Sequence, residues 1–367
     1  MKIALITIHR VTNYGAILQA FATKVVLSKY GDVTTIDYKN RFLTRHMDYV
    51  RFEPSFHGLK MTVHDILNFR SRFKLIRKFE NFLFSNMNLS KTMDKTDLES
   101  GKANGFDIYV CGSDQIWNPR IISRNTSIDP IFFLSFVDNS KTKFSYASSI
   151  GNHEYSEEEN KIITDLLFSF NSISTREKNG VNKLNNLVKD KEIHHVLDPT
   201  LLFDKQEWMN IFSVKKSNIT EKYILVYSVP RTELLKKAIK YYRQILGYKV
   251  VSVDKVMLSL PFVDTHVKDA GPKEFIEIFS NASFVITDSF HGTCFALNFQ
   301  IPFACIYIEN KTNRQESLLG QLQVGNRIIY KEEDFSNLTL NQDFSKIEME
   351  ISKLRKASLD YIDRAFN

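Results

Sequence analysis

The residues with the most evident chemical capacity lie in one short run, Asp288-Ser-Phe-His-Gly-Thr293. They follow a short apolar run, Ser283 to Ile286, suited to a buried parallel strand. Asp288, Ser289 and Thr293 are typical of a helix N-terminus, and Gly292 lets the backbone bend or be approached closely. Phe295, Ala296 and Phe299 then recur at helical spacing. Strand, sharp turn and helix in that order set His291 and several backbone N–H groups at the carboxyl end of a strand. Open α/β sheets bind ligands there, and a helix N-terminus favours an anion. A plain helix cap with a satisfied histidine would read the same way.

A second polar loop, Gly112-Ser-Asp-Gln-Ile-Trp-Asn118, follows a strand expected over Asp107–Cys111. Gly112 permits a tight turn. Ser113, Asp114, Gln115 and Asn118 offer hydrogen bonds, and Trp117 offers a flat apolar face. Polar groups beside an aromatic plate can grip a sugar, although an Asx-turn with a core Trp has the same pattern. Arg176 closes a short strand, Ser172–Thr175. It can reach a ligand at that edge or pair with Glu177 or another acid.

The elements that must hold these loops alternate as β and α. Lys2–Ile8 reads as a first strand rather than a signal peptide. His9 to Ala16 forms the next loop, and a helix follows over Ile17–Lys29. This opens a Rossmann-like unit, but the dinucleotide fingerprint Gly-x-Gly-x-x-Gly is absent. A second alternating series begins with a strand over Tyr223–Val229. With 367 residues the chain suits two domains. The expected division is residues 1–203, a connector at 204–222, a second domain at 223–340 and a C-terminal helix at 341–367. Two such domains would face one another across a cleft.

Composition narrows the function classes. Three cysteines cannot all pair and match no zinc spacing, so neither a disulfide framework nor a metal site is expected, and a cytoplasmic location is. No apolar run reaches the roughly 18 residues that span a bilayer. The net charge of +7 favours anionic partners, and the lack of a nucleic-acid module ranks nucleic acid last. Ile66, Phe69, Phe73, Ile76, Phe79 and Leu83 fall at helical spacing among Arg70, Arg72, Lys74, Arg77 and Lys78. That stretch suits a helix packed on its own domain, or peripheral contact with an anionic membrane on the inner face of the cell membrane.

Taken in order, Asn13-Tyr-Gly-Ala-Ile-Leu-Gln19, Gly112-Ser-Asp-Gln-Ile-Trp-Asn118, Tyr146-Ala-Ser-Ser-Ile-Gly151, Ser174-Thr-Arg-Glu-Lys178, Asp198-Pro-Thr-Leu-Leu202 and Thr287-Asp-Ser-Phe-His-Gly292 resemble the polysaccharide pyruvyl transferase family. The resemblance runs from residue 1 to about residue 330 and implies a GT-B-like fold. It implies transfer of a pyruvyl group from phosphoenolpyruvate to two saccharide hydroxyls as a cyclic ketal, in bacterial surface-polysaccharide biosynthesis. Phosphoenolpyruvate would be a co-substrate, with no further cofactor, and the acceptor a saccharide or lipid-linked oligosaccharide. The family's histidine matches His291, and imidazole can give or take a proton near neutral pH. Ser289, Gly292, Thr293, Arg176 and Arg314 are expected at the donor. Asn13, Tyr14, Gly15 and Gln19, with Ser113, Asp114, Gln115, Trp117 and Asn118, are expected at the acceptor. Many family members have Arg-Leu-His where this chain has Ser289-Phe290-His291, and Asn-x-Gly-Asp where Gly15 is followed by Ala16. A GT-B glycosyltransferase using a nucleotide sugar and a non-catalytic glycan-binding relative are the alternative expectations.

Overall fold

A computed structural model describes all residues except 53, 215–220, 229, 310 and 312, and only the backbone of residue 57. Part of the expected connector, and the last residue of the strand expected at Tyr223–Val229, therefore lie outside the described residues. Among the described residues, twelve strands form two parallel sheets of six. The first holds β1 (Lys2–Ile6), β2 (Asp32–Thr35), β3 (Ile108–Asp114), β4 (Thr142–Ser148), β5 (Ile173–Thr175) and β6 (Ile193–His195), in the order β2-β1-β3-β4-β5-β6. The second holds β7 (Tyr223–Tyr227), β8 (Lys249–Val253), β9 (Thr265–Val267), β10 (Phe284–Thr287), β11 (Phe303–Ile306) and β12 (Ile328–Ile329), in the order β12-β11-β10-β7-β8-β9.

The central strands are buried along their length, as apolar runs in parallel sheets covered by helices should be. The second sheet has the strand order of the Rossmann fold, with its reversal between β7 and β10. In the first sheet the order reverses between β1 and β3. Isolated parallel bridges, Thr35 to Leu89 and Tyr38 to Met93, put residues 89–93 beside β2, where the Rossmann order has its outermost strand. The chain between β2 and that segment is thus an insertion at a crossover.

The helices that bear on function are α1 (Tyr14–Leu27), α2 (Phe56–Leu67), α3 (Phe69–Asn86), α4 (Phe290–Asn298), α5 (Asn313–Gln321) and α6 (Ser345–Phe366). The single helical stripe expected from Ile66 to Leu83 is two helices with Asn68 between them. Its later members, Ile76, Phe79 and Leu83, are core, whereas Ile66, Phe69 and Phe73 are exposed. Among the described residues no helix is long and apolar enough to cross a membrane.

The chain packs as two units, one of residues 1–47, 81–202 and 352–367, the other of residues 48–80 and 203–351. Two segments pack away from the neighbours their place in sequence suggests, and side-chain contacts explain both. Residues 48–80 join the second unit through Lys78, which meets Glu274 at 2.7 Å, and Lys74, which meets Asp269 at 3.9 Å. The end of α6 joins the first unit. There the Tyr361 hydroxyl donates to Ser145 O at 2.8 Å, and Ser358 Oγ accepts from Leu197 N at 2.9 Å.

Candidate functional site

In the second unit the site forms where the strand order reverses. Phe284–Thr287 is a fully buried strand, and the chain turns at Asp288 into α4. Ser289 is the N-cap, its Oγ accepting from Gly292 N at 3.3 Å. Its carbonyl accepts from Thr293 N at 3.0 Å. The N–H groups of Gly292 and Thr293, residues expected at the donor, are thus taken up by Ser289, which caps a helix beginning at Phe290. Thr293 Oγ1 also turns inward, donating to Ser289 O at 3.2 Å. Gly292 is required by packing: a Cβ there would lie 2.2 Å from Thr287 Oγ1. That hydroxyl ties β10 to β7 by donating to Tyr227 O at 2.6 Å.

His291 is buried in the first turn of α4, edge-on to Phe290. Around it, Ser228 at the end of β7 donates to the Asp288 carboxylate. Gln315 Nε2 donates to Asp288 O at 2.9 Å and so docks the start of α5 on the turn. The next residue toward the N-terminus of α5 is Arg314, half-buried, with its guanidinium 5.4 Å over the Phe290 ring. One histidine, a helix N-terminus, two hydroxyls and a guanidinium therefore gather at one sheet edge. At the same edge Asp254 pairs with Arg231 at 2.7 Å and His266 at 3.0 Å, linking the ends of β7, β8 and β9.

The other expected residues lie in the first unit, at the reversal between β1 and β3. Asn13 is exposed and caps α1, accepting from Ala16 N at 3.1 Å. Tyr14 and Gly15 are buried in the first turn. Gln19 is fully buried, and its Nε2 donates to Ala16 O at 2.8 Å and Thr7 Oγ1 at 3.1 Å, bracing the loop after β1. Gly112, Ser113 and Asp114 continue β3 beyond its expected end at Cys111, paired with β4. Gly112 has φ +117°, and a Cβ there would lie 2.1 Å from Tyr146 O. Ser113 Oγ donates to Ala147 O at 2.9 Å. Gln115 is half-buried and accepts from Asn118 Nδ2 at 2.8 Å, while Asn118 caps the next short helix. Trp117 is a core residue, 1% exposed, stacked on Phe133 and donating to Phe132 O at 3.2 Å. Its ring has no open face for a sugar.

Arg176, expected at the donor, is instead a fully buried side chain within the first unit. Its guanidinium donates to Asp198 at 2.7 Å, Glu177 at 2.9 Å and Asp114 at 3.0 Å. Burial alone would lower its pKa, but the three carboxylates outweigh that and raise it. The guanidinium neutralises buried acids and ties β3, β5 and the loop after β6 together, which leaves it no role in closing on a donor.

Three residues of the first edge were not singled out from sequence. Arg10 forms a two-pronged pair with Asp37, and His9 Nε2 meets the same carboxylate at 3.3 Å. His9 Nδ1 lies 2.9 Å from Thr7 O. Burial would raise the Asp37 pKa, yet hydrogen bonds from His9, Arg10 and Thr92 hold it well below the usual carboxylate range. In the second unit Ser228 and Gln315 were likewise missed. A signal existed for His9 and Arg10, which directly follow a strand at the ligand edge; none existed for Gln315.

The model of a family described as polysaccharide pyruvyl transferase matches residues 13–310. No curated protein sequence matches the chain. Among solved structures, the S. aureus MnaA–UDP complex aligns with a TM-score of 0.50 at 13% identity, covering 98% of this chain and 92% of that one. A UDP-N-acetylglucosamine 2-epimerase from Rickettsia bellii aligns at 0.49 and 13% identity, covering 99% and 98%. The UDP-GlcNAc-bound 2-epimerase from Neisseria meningitidis aligns at 0.49 and 10%, covering 99% and 100%. At such identities the likeness to MnaA speaks for the fold alone, a GT-B-like pair of α/β units.

Proposed function

The chain belongs to the polysaccharide pyruvyl transferase family, and from that premise we propose that it moves a pyruvyl group from phosphoenolpyruvate to a saccharide as a cyclic ketal. One sugar hydroxyl oxygen bonds to C2 of the donor as the methylene carbon takes a proton. A second hydroxyl forms the other C2–O bond as the bond from C2 to the phosphate oxygen breaks. The two hydroxyl protons end on the new methyl group and on the departing phosphate. His291 is the residue proposed to carry the proton, since imidazole exchanges protons near neutral pH.

The observation that carries this reading is the seating of His291 in the first turn of a nine-residue helix at the strand-order reversal. A helix N-terminus favours the donor's phosphate or carboxylate. Arg314, its guanidinium 5.4 Å over the Phe290 ring, is proposed to supply the donor-binding cation that many relatives carry at the position of Ser289. The Ser289 hydroxyl, half-buried at the same turn, is proposed as a further donor contact. On the acceptor side, exposed Asn13 and half-buried Gln115 stand at the carboxyl edge of the first sheet, joined by Arg10. The acceptor would be a saccharide or lipid-linked oligosaccharide of a bacterial surface polysaccharide, handled on the cytoplasmic side, with no cofactor.

The test is phosphate release from phosphoenolpyruvate across glycan acceptors, run beside His291→Gln. We expect turnover from the wild type and a fall of about 10²–10⁴-fold in the variant at an unchanged thermal midpoint. Turnover of a nucleotide sugar with no response to phosphoenolpyruvate would replace the reading with glycosyl transfer. Glycan binding without either reaction would leave a non-catalytic binding protein.

A further inference from the structure

Helix α2 is built inside out. Its inward face carries Asp65 and Gly58, both buried, with Thr62 beside them. Asp65 pairs with Arg51 at 2.7 Å and Arg72 at 3.6 Å, and Thr62 donates to Arg51 O at 2.7 Å. Its outward face is apolar: Phe56, Leu59, Ile66 and Leu67 are 76%, 60%, 58% and 66% exposed, with Val63 between them. At 100° per residue these five fall within one stripe. Phe52, Phe69 and Phe73 extend the patch. Among the described residues, nine of the 22 exposed large apolar side chains lie between Val50 and Phe73. A water-facing helix has the opposite arrangement, and patches of this kind mark interaction surfaces.

The same unit adds a second apolar segment and a basic rim. A cavity of about 20 Å³ is lined jointly by His64, Asn68, Arg72, Lys255 and Lys268, which brings the loop after β8 against α2 and α3. That loop continues into exposed Val256, Met257 and Leu258. Lys60 flanks the stripe with its ammonium 4.5 Å over the Phe56 ring, and Arg70 and Arg77 are exposed on α3. Of the six Lys or Arg between residues 56 and 80, Arg72 pairs with Asp65, Lys74 with Asp269 and Lys78 with Glu274, so the rim rests on Lys60, Arg70 and Arg77. An apolar stripe held outward by a buried ion pair and rimmed by cations is the make-up of a helix lying in the interface of an anionic bilayer. We propose that α2, with the loop at 256–258, docks this protein on an anionic lipid surface. The charge complementarity favours lipid over a second copy, whose own patch would bring the same cations together. The inference does not rest on pyruvyl transfer, because docking is read without turnover.

The experiment is co-sedimentation of the full chain with vesicles of phosphatidylcholine, alone or with about a third phosphatidylglycerol. Wild type should pellet with the anionic vesicles and be released as salt rises to about 0.5 M. Leu59→Ser/Ile66→Ser and, separately, Lys60→Glu/Arg70→Glu should each weaken binding at least about tenfold. All four side chains are exposed, so both variants should keep the wild-type thermal midpoint. The proposal fails if wild type stays in the supernatant at low salt, or if both variants pellet as it does. It also fails if wild type is a dimer that Leu59→Ser/Ile66→Ser dissociates while vesicles are ignored.

Discussion

At the scale of single residues, two arginines expected in one role separate. Arg314 has its charge beside the turn that holds His291, so Arg314→Ala should raise the KM for phosphoenolpyruvate about tenfold or more, the worth of a hydrogen bond to a charged group. Arg314→Lys should recover part of that loss, and steady-state kinetics at varied donor concentration would check both. Arg176 is a structural ion. Arg176→Ala would leave Asp114, Glu177 and Asp198 without their shared cation and should cost about 3–5 kcal/mol in chemical denaturation. A variant that kept its stability and lost only donor affinity would overturn that assignment. The difference between the two was not legible in sequence. Asp198 and Asp114 stand 22 and 62 residues from Arg176, so nothing near Ser174-Thr-Arg-Glu-Lys178 announces them. His291 was legible because its setting is local: strand, cap and helix lie within one continuous run.

At the scale of elements, periodicity located strands and helices well where one face is core and poorly where packing is unusual. The helical spacing from Ile66 to Leu83 is real, but it crosses Asn68, where one helix ends and another begins. Spacing alone cannot report that Ile76, Phe79 and Leu83 face inward while Ile66 faces out. The outward turn of α2 depends on Asp65, whose partners Arg51 and Arg72 lie in other turns of the chain. Burial would raise the Asp65 pKa, but hydrogen bonds from Arg51 and His64, with the Arg72 charge, outweigh it and bring the group down to about 2. A carboxylate depressed in the folded state adds stability above its unfolded pKa, near 4, and loses it as pH falls towards the folded value. Asp65→Asn should therefore cost about 3 kcal/mol at neutral pH. Its denaturation midpoint should converge on that of the wild type between about pH 4 and pH 2. A gap that stayed constant over that window would mean the carboxylate charge is not what holds the helix.

At the scale of the whole molecule, two Rossmann-like units were legible from the β/α rhythm, because each buried parallel strand must be followed by a covering helix. Which segment completes which unit was not, since that is decided by contacts between residues far apart. The C-terminal helix makes the point testable. Its last turns give the first unit Tyr361 and Ile362, both buried, and Phe366, stacked on Tyr30 with ring centroids 4.3 Å apart. Arg355 also donates to Leu201 O at 2.9 Å. Removing residues 352–367 should thus strip core from the first unit and none from the second. The chain has two tryptophans, Trp117 in the first unit and Trp208 in the second, both buried. Single-tryptophan versions, Trp208→Phe and Trp117→Phe, then report each unit by fluorescence. Truncation should lower the stability read by Trp117 by at least about 4 kcal/mol, given two large buried side chains and their hydrogen bonds. The Trp208 transition should move less. A loss confined to Trp208 would contradict the assignment of the helix end to the first unit. Equal losses at both reporters would mean that the two units unfold as one.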